Sequence, residues 1–320
     1  MTKSNTLDLL TIGDVCIDLY MKVEGSEVSE DKDPEHPKIC FYHGSKIPVK
    51  SLQSNIAGNA VNVSLVATKL GLKAAVYSEM GDDEEADRIE KELKEEGIIT
   101  DFLRRNKGAF TGIHPVIVYQ GERTIFSHHE ERPYCLQDWP KPKWLYYTSV
   151  GPGFETFQAE LVKYIKKNPD IGIAFNPGTF HIRAGLDGLK NMLEVTHILF
   201  LNQDEAENFV GDGSLEDMHL RLQKLGPKLT VITAGDKGAS AHDGQELIEI
   251  PAYEMDKPVV DKTGAGDSFA AGFISAIFHG KPLKEALHWG AISSSHIIRE
   301  VGTVKGRVTK TEMEKMVRAI

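Results

Sequence analysis

Short apolar segments alternate with helical segments along most of this chain, and the alternation restricts the fold more than any other feature. Apolar runs of about four to eight residues, bounded by turn residues, are typical of buried strands. They occur at 7–13, 74–78, 144–148, 171–175, 197–201 and 229–233. Helical patterns occur between and after them at 57–70, 83–96, 155–167, 184–193, 204–209 and 215–225. This order predicts a layered α/β fold with a mainly parallel sheet.

Two segments, 39–50 and 112–129, interrupt the alternation because they resemble strands with no helix beside them. We therefore expect one domain spanning 1–320, with a small β lid built from about 19–54 and 110–132. A β lid beside a binding site can close over a substrate and exclude water.

The bulk composition excludes several classes of partner. The net charge is −10, with 47 acidic against 37 basic residues, which argues against nucleic-acid binding and gives no support for a membrane anchor. Cys16, Cys40 and Cys135 have no metal-like spacing and indicate reduced thiols. Neither a secretory signal nor an apolar stretch of about 18 residues is visible. A cytoplasmic location is the resulting prediction.

The sequence Asp-Lys-Thr-Gly-Ala-Gly-Asp at 261–267 precedes a strongly apolar helical run. A helix N-terminus offers free backbone N–H groups and the positive end of the helix dipole, which together bind anions. Gly264 and Gly266 leave the backbone open to a ligand. A bound anion would repel Asp267, so a base that accepts a proton from a hydroxyl fits there better than a structural acid. Phosphoryl transfer is the hypothesis that follows.

Two signatures in this sequence resemble those of one enzyme family. Ala-Gly-Asn-Ala-Val-Asn-Val-Ser at 57–64, followed by Gly71 and Gly81, resembles the N-terminal signature of the ribokinase-like carbohydrate kinases, the PfkB family. The segment 261–267 resembles their C-terminal signature, Asp-Thr-x-Gly-Ala-Gly-Asp, and Lys262 departs from it. The resemblance covers nearly the whole chain. It implies a three-layer α/β/α sandwich with a β lid, and ATP-dependent phosphorylation of a hydroxyl of a sugar or sugar derivative.

The resemblance implies catalytic roles for the second signature. Asp267 would deprotonate the acceptor hydroxyl, and the N–H groups of Gly264, Ala265 and Gly266 would stabilise charge on the transferred phosphoryl group. The alternative for an isolated aspartate is that it only complements the helix dipole.

Asp261 and Thr263 match positions that bind a monovalent cation such as K⁺ in many relatives, and Gly302 aligns with a carbonyl ligand of that site. Asp261 can equally be a turn-forming residue.

Two further motifs match the family's nucleotide site. Asn202 and Glu205 belong to an Asn-x-x-Glu motif that organises Mg²⁺ and phosphate, largely through water; a helix cap is the alternative. Thr233, Gly235 and Gly238 match a turn that contacts ATP. P-loop and dinucleotide fingerprints are absent from the sequence.

For the acceptor, Asp18 matches an aspartate that binds sugar hydroxyls in relatives, while Asp14 is better explained as a turn residue. A carboxylate can accept hydrogen bonds from two neighbouring hydroxyls, which suits a polyol. Gly58, Asn59 and Asn62 would line the same pocket. Asn62 in an apolar helix needs a hydrogen-bond partner, which favours a ligand role.

In the lid, the segment 121–124 resembles a turn of sugar kinases and would bring Arg123 to the substrate; a solvated hairpin edge is the alternative. His128 and His129, as neighbours on a predicted strand, would point to opposite faces and form no paired metal site.

Two alternative functions and the state of assembly remain open at the level of sequence. A nucleoside kinase of the same fold would use lid aromatics such as Phe41, Tyr42 and Phe126 to stack on a base. A catalytically silent binding protein would be favoured by loss of Asp267, Gly264 or Gly266, and all three are present. In relatives two lids often pair edge to edge, which predicts a homodimer, although a capped lid edge would serve a monomer equally well.

Overall fold

The computed structural model describes residues 6–24, 28–31, 38–120 and 122–320. Their strands, in chain order, are β1 (Leu7–Ile12), β2 (Cys16–Val23), β3 (Val28–Asp31), β4 (Lys38–Phe41), β5 (Val49–Ala57), β6 (Ala74–Gly81), β7 (Ile99–Asn106), β8 (Gly112–Tyr119), β9 (Glu122–Ile125), β10 (Pro142–Tyr147), β11 (Gly172–Phe175), β12 (Ile198–Asn202), β13 (Leu229–Thr233), β14 (Ala239–His242) and β15 (Leu247–Ile250). The helices are α1 (Asn59–Lys69), α2 (Glu84–Glu95), α3 (Phe154–Lys167), α4 (Thr179–Leu193), α5 (Gln203–Val210), α6 (Leu215–Gln223), α7 (Ala265–Phe278), α8 (Leu283–Ile297) and α9 (Lys310–Val317).

The main sheet has the strand order β15-β14-β13-β12-β11-β10-β1-β6-β7. Its strands run parallel from β13 to β7, and β14 pairs antiparallel with both β13 and β15, so among the described strands of this sheet only β14 runs in the opposite direction. The mainly parallel sheet predicted from the sequence is therefore confirmed.

Neighbouring residues of the central strands pack on opposite faces of the sheet. Leu9 and Tyr146 belong to a core that includes residues of α1, α7 and α8, such as Trp289. Leu10 and Tyr147 belong to a second core with residues of α3 to α6. Strands buried on both faces are expected in a parallel sheet that helices cover on both sides. The three-layer α/β/α sandwich is confirmed.

The lid is a separate sheet with the order β5-β2-β8-β9, in which β2 and β8 run parallel. Its first part runs from Cys16 to Ala57 and so extends beyond the predicted segment of about 19–54 at both ends, and its second part, β8 and β9, lies within the predicted 110–132. The sequence pattern marked the start of this lid segment only weakly, because β2 follows β1 almost directly, with no helix between them. A short ladder of β3 and β4 lies outside both larger sheets.

The predicted hairpin is present as the antiparallel pair β8 and β9. However, β9 ends at Ile125, so His128 and His129 do not lie on a strand as we expected, and their alternation across one does not apply. Gly121 of the predicted turn lies outside the described residues. In the part of the chain that the structure describes, no helix is both long and apolar enough to cross a membrane.

Candidate active site

The turn before α7 has the geometry that its glycines suggested. Gly264 precedes the first helical residue with φ 70 and ψ 11, the left-handed conformation. A Cβ at this position would lie 2.4 Å from Cγ2 of Thr303, so both backbone and space require glycine. A Cβ on Gly266 would meet nothing within 4 Å. The helix therefore begins against open space, as an anion-binding N-terminus must.

Asp267 lies in the first turn of α7 and is 5% exposed. Its Oδ1 accepts a hydrogen bond from Nδ2 of Asn59 at 3.0 Å, and its Oδ2 accepts one from Nδ2 of Asn62 at 2.8 Å. Burial raises the pKa of Asp267 to about 6, although the two amide hydrogen bonds oppose the rise. Such a carboxyl is ionised at neutral pH and binds a proton more readily than an exposed aspartate, as a general base should.

Asn59 and Asn62 thus hold the carboxylate, a contact that their predicted place in the acceptor pocket did not include. They reach it from the start of α1, which follows Gly58 at φ 111, where a Cβ would lie 2.2 Å from the carbonyl oxygen of Asp14. Among the described residues, Oδ1 of Asn62 is buried without a hydrogen-bond partner. A donor from a bound molecule would satisfy it.

Two adjoining cavities of about 870 Å³ and about 320 Å³ meet at this turn. Both are lined by Thr233, Lys262, Ala265 and Gly266. The larger one also contains the predicted nucleotide residues Gly235 and Gly238, with apolar walls that include Val259 and Phe269. The smaller one contains Asp267. Lys262, which the family resemblance left unexplained, therefore lies where the two cavities join.

The smaller cavity opens at the carboxyl ends of parallel strands, where α/β proteins bind ligands. Ser149, Asn176 and Asn202 line it from the ends of β10, β11 and β12. Sequence reasoning missed Ser149 and Asn176, although their positions just after buried strands were a usable signal.

Asn202 and Glu205 form a capping box at the start of α5. Oδ1 of Asn202 accepts from the N–H of Glu205 at 2.8 Å, and Oε2 of Glu205 accepts from the N–H of Asn202 at 2.9 Å. Both residues also line the smaller cavity. Burial raises the pKa of Glu205, with a smaller contribution from Asp204. A cation in the cavity would offset this cost, so the capping role and a magnesium role are compatible here.

Asp261, at the other end of the turn, is bonded on both oxygens. Its Oδ1 accepts from the N–H of Thr263 at 2.8 Å and from Oγ1 of Thr263 at 2.7 Å, and its Oδ2 accepts from the N–H of Gly302 at 2.9 Å. The guanidinium of Arg123 forms an ion pair with the same Oδ1. Burial alone would raise the pKa of Asp261, but these hydrogen bonds outweigh it and the pKa lies below its usual value.

A potassium ion at Asp261, as predicted from the sequence, would meet a carboxylate that already pairs with the guanidinium of Arg123. The Asp261 carboxylate pairs with the positive charge of Arg123 and accepts hydrogen bonds from three neutral donors. One of these donors is the backbone N–H of Gly302, which points towards the carboxylate. The guanidinium of Arg123 is held by Asp261 with the side chain 17% exposed, and its predicted contact with the substrate stays a prediction.

Asp18 lies on lid strand β2 and is 5% exposed. Burial raises its pKa to about 6, opposed by a hydrogen bond from the hydroxyl of Tyr20 at 3.4 Å. Asp261 and Arg123 also act on its charge. The structure thus places Asp18 beside the Asp261 cluster rather than on the wall of the 320 Å³ cavity. His114, paired with Asp18 across β2 and β8, was not identified from sequence.

The family comparison agrees with this geometry. The model of the pfkB family carbohydrate kinases matches residues 6–310. The chain is 24% identical to an ATP-dependent 6-phosphofructokinase of Thermoanaerobacterium thermosaccharolyticum, over 93% of this chain and 89% of that protein. It is 25% identical to a nucleoside kinase of Methanothermobacter thermautotrophicus, over 94% and 92% respectively.

A solved structure of Arabidopsis thaliana ribokinase, complexed with ribose and ATP, shares the fold with a TM-score of 0.80. It is 20% identical, and the match covers 98% of this chain and 99% of that one. Signatures, fold and family match all agree, and the chain belongs to the pfkB family of carbohydrate kinases.

Proposed function

We propose that this kinase transfers the γ-phosphoryl group of ATP to a hydroxyl of a sugar or sugar derivative, with Asp267 as the general base. One observation carries the assignment of the base. Asp267 is a buried carboxylate, fixed by two asparagine amides, at the edge of a cavity formed by an open helix N-terminus.

The proposed reaction uses Asp267 only to move a proton. The acceptor hydroxyl gives its proton to the carboxylate, and its oxygen forms a bond to the γ-phosphorus. The bond between that phosphorus and the oxygen bridging to the β-phosphate breaks, and ADP leaves. Backbone N–H groups at Gly264, Ala265 and Gly266 stabilise the charge on the transferred group, because phosphoryl transfer depends mainly on positioning and electrostatics.

We assign the larger cavity to the nucleoside part of ATP and the junction at Lys262 to its phosphates. Apolar side chains such as Val259 and Phe269 suit a base, and the glycine turn at Gly235 and Gly238 leaves the backbone accessible. The ammonium of Lys262 offers the phosphates a positive charge that the family signature lacks.

Glu205 and Asn202 are the residues we assign to Mg²⁺, since oxygen ligands and retained water suit this ion. Bound magnesium would neutralise phosphate charge during transfer. We infer that the guanidinium of Arg123 takes the place of a monovalent cation and supplies the positive charge beside Asp261.

The acceptor is proposed as a sugar-type small molecule bound near Asp18 and the free Oδ1 of Asn62. A nucleoside remains the second candidate because lid aromatics are available: Tyr42 is 71% exposed and Phe126 is 53% exposed. Relatives of both kinds exist.

A screen of ADP release over pentoses, hexoses, sugar acids, sugar phosphates and nucleosides tests the function. Turnover of a sugar or sugar phosphate supports the first candidate, and turnover restricted to nucleosides supports the second. Binding of ATP with no turnover of any acceptor would instead favour the silent regulator.

A homodimer through the lid is also proposed. Leu52 on β5 and Ile113 on β8 expose apolar surface that a second lid would cover. Sedimentation of the protein and of Leu52→Glu tests it, and a wild-type monomer would contradict the dimer.

A further inference from the structure

Three side chains of different chemistry meet on one face of the lid. Cys16 and Asp18 are two residues apart on β2, so strand periodicity places them on the same face. His114 on β8 is the direct partner of Asp18 in the ladder between these strands. Strand register therefore brings together a thiol, a carboxylate and an imidazole, and this does not depend on the conformation of the adjoining loops.

The three donor atoms form a nearly equilateral triangle. Sγ of Cys16 lies 3.5 Å from Nδ1 of His114 and 3.9 Å from Oδ1 of Asp18, and the latter two atoms are 3.7 Å apart. A tetrahedral Zn²⁺, with bonds of about 2.0–2.3 Å, holds neighbouring donors about 3.3–3.6 Å apart. Small side-chain adjustments would therefore bring all three donors into bonding distance of one ion.

Hydrogen bonds among Cys16, Asp18 and His114 explain only part of their close approach. The single thiol proton of Cys16 can serve one of its two neighbours at a time, and the 3.7 Å between His114 and Asp18 is too long for a hydrogen bond. Cys16 and Asp18 are buried, at 4% and 5% exposure, so water does little to complete their bonding.

The surroundings supply what a metal site needs beyond its ligands. His114 donates a hydrogen bond to the backbone of His128, which orients the ring while Nδ1 faces Cys16. A cavity of about 30 Å³ adjoins Cys16 and His114, and this is room for a water molecule as fourth ligand. Gly112 borders the cavity without a side chain that would fill it.

We propose that Cys16, Asp18 and His114 bind Zn²⁺, and that bound zinc excludes the acceptor substrate from Asp18. Thiolate and imidazole ligands favour Zn²⁺ over Mg²⁺, which prefers oxygen. On binding, the Cys16 thiol loses its proton to solvent and a zinc–sulfur bond forms. Zinc would then be a reversible inhibitor that competes with the acceptor and leaves ATP binding intact. Only this competition depends on the proposed function, since metal binding itself does not.

The direct test uses the full metal-free chain and Co²⁺ as a spectroscopic probe. Wild type is expected to develop a thiolate-to-cobalt charge-transfer band that Zn²⁺ abolishes by displacement. Cys16→Ser should lack the band, whereas Cys40→Ser, which removes an exposed thiol, should keep it. A band that persists in Cys16→Ser, or no band in wild type, overturns the site.

His114→Gln keeps the thiol and guards against a folding artefact in the cysteine variant. We expect zinc binding, measured by competition with a chromophoric chelator, to weaken more than about tenfold. Unchanged affinity in this variant would remove His114 from the site.

Kinetics test the consequence. With the free zinc concentration held constant by a metal buffer, zinc inhibition should be relieved by excess acceptor but not by excess ATP, and removal of zinc by a chelator should restore full activity. Inhibition that ATP relieves would overturn the proposed overlap at Asp18. A protein that binds zinc through these residues but phosphorylates no acceptor would refute the proposed function and leave the metal site standing.

Discussion

Asp261 and Asp267 stand at the two ends of one turn, are both about 5% exposed or less, and yet have opposite electrostatics. Asp267 is bonded by two neutral amides, and burial raises its pKa to about 6. Asp261 forms an ion pair with a guanidinium and accepts hydrogen bonds from a hydroxyl and two backbone N–H groups, and together these lower its pKa. Burial alone therefore does not make a base. What distinguishes Asp267 is that its partners position the carboxylate without neutralising it.

The largest effect is expected from Asp267→Asn. Loss of a positioned base should lower kcat by roughly 10²–10⁴-fold, while the affinity for ATP stays close to wild type. Rapid-quench single turnovers and nucleotide binding measure the two quantities. Retention of full activity would remove Asp267 from the proposed role and with it the contrast between the two aspartates.

The acidic limb of the pH profile sharpens the same contrast. Only ionised Asp267 can accept a proton, so kcat/KM should fall about tenfold per pH unit below its pKa of about 6. Asp18, whose pKa is also about 6, can steepen the limb. In Asp18→Asn we therefore expect kcat/KM to fall only about tenfold per pH unit below pH 6. A kcat/KM that stays constant down to pH 5 would contradict a base with this pKa.

Arg123→Gln tests the charge at Asp261. We expect the wild type to be indifferent to potassium relative to a large organic cation, because the guanidinium already occupies Asp261. The variant should lose activity and regain about tenfold on adding potassium, equivalent to about 1.4 kcal/mol. Arg104→Gln, an exposed position on β7, is the matched control. Potassium activation of wild type equal to that of the variant would contradict the inference and restore the cation site.

Lys262 lies between the two aspartates in sequence and at the junction of the two cavities. Lys262→Gln should raise KM for ATP about fivefold, a modest effect because the side chain is exposed and water screens its charge. Lys91→Gln on α2 should change nothing. An unaltered KM in Lys262→Gln would place the phosphates elsewhere.

The sequence predicted the parts of this site that are contiguous. The 261–267 turn, the capping motif at Asn202 and the Thr233 turn carry local signals, because helix starts and tight turns are determined by neighbouring residues. The layered fold followed from the strand and helix periodicity for the same reason.

Contacts between distant segments could not be predicted. Asn62 meets Asp267 from 205 positions away, and Arg123 meets Asp261 from 138 positions away. Both contacts depend on how α1 and the lid dock against α7. The pairing of His114 with Asp18 depends on strand register, which hydrophobic pattern fixes poorly in a lid with exposed faces. His128 and His129 were misplaced because nothing in their local sequence marks the end of β9.

The free energy of unfolding of Asp267→Asn and Asp261→Asn, measured side by side by urea denaturation at pH 7.5, tests the central contrast most directly. A carboxyl whose pKa is raised on folding stabilises the protein only while protonated, so ionised Asp267 costs up to about 3 kcal/mol at neutral pH. Asp267→Asn should therefore be more stable than wild type by about 1–3 kcal/mol, a gain that vanishes below about pH 4. Asn62 can rotate its free Oδ1 towards the new amide.

Asp261→Asn should do the opposite and lose about 3 kcal/mol, because it leaves the guanidinium of Arg123 without its charged partner. Opposite signs for the two substitutions are the predicted result. Equal destabilisation by both would contradict the view that one end of this turn holds a poised base and the other an anchored charge.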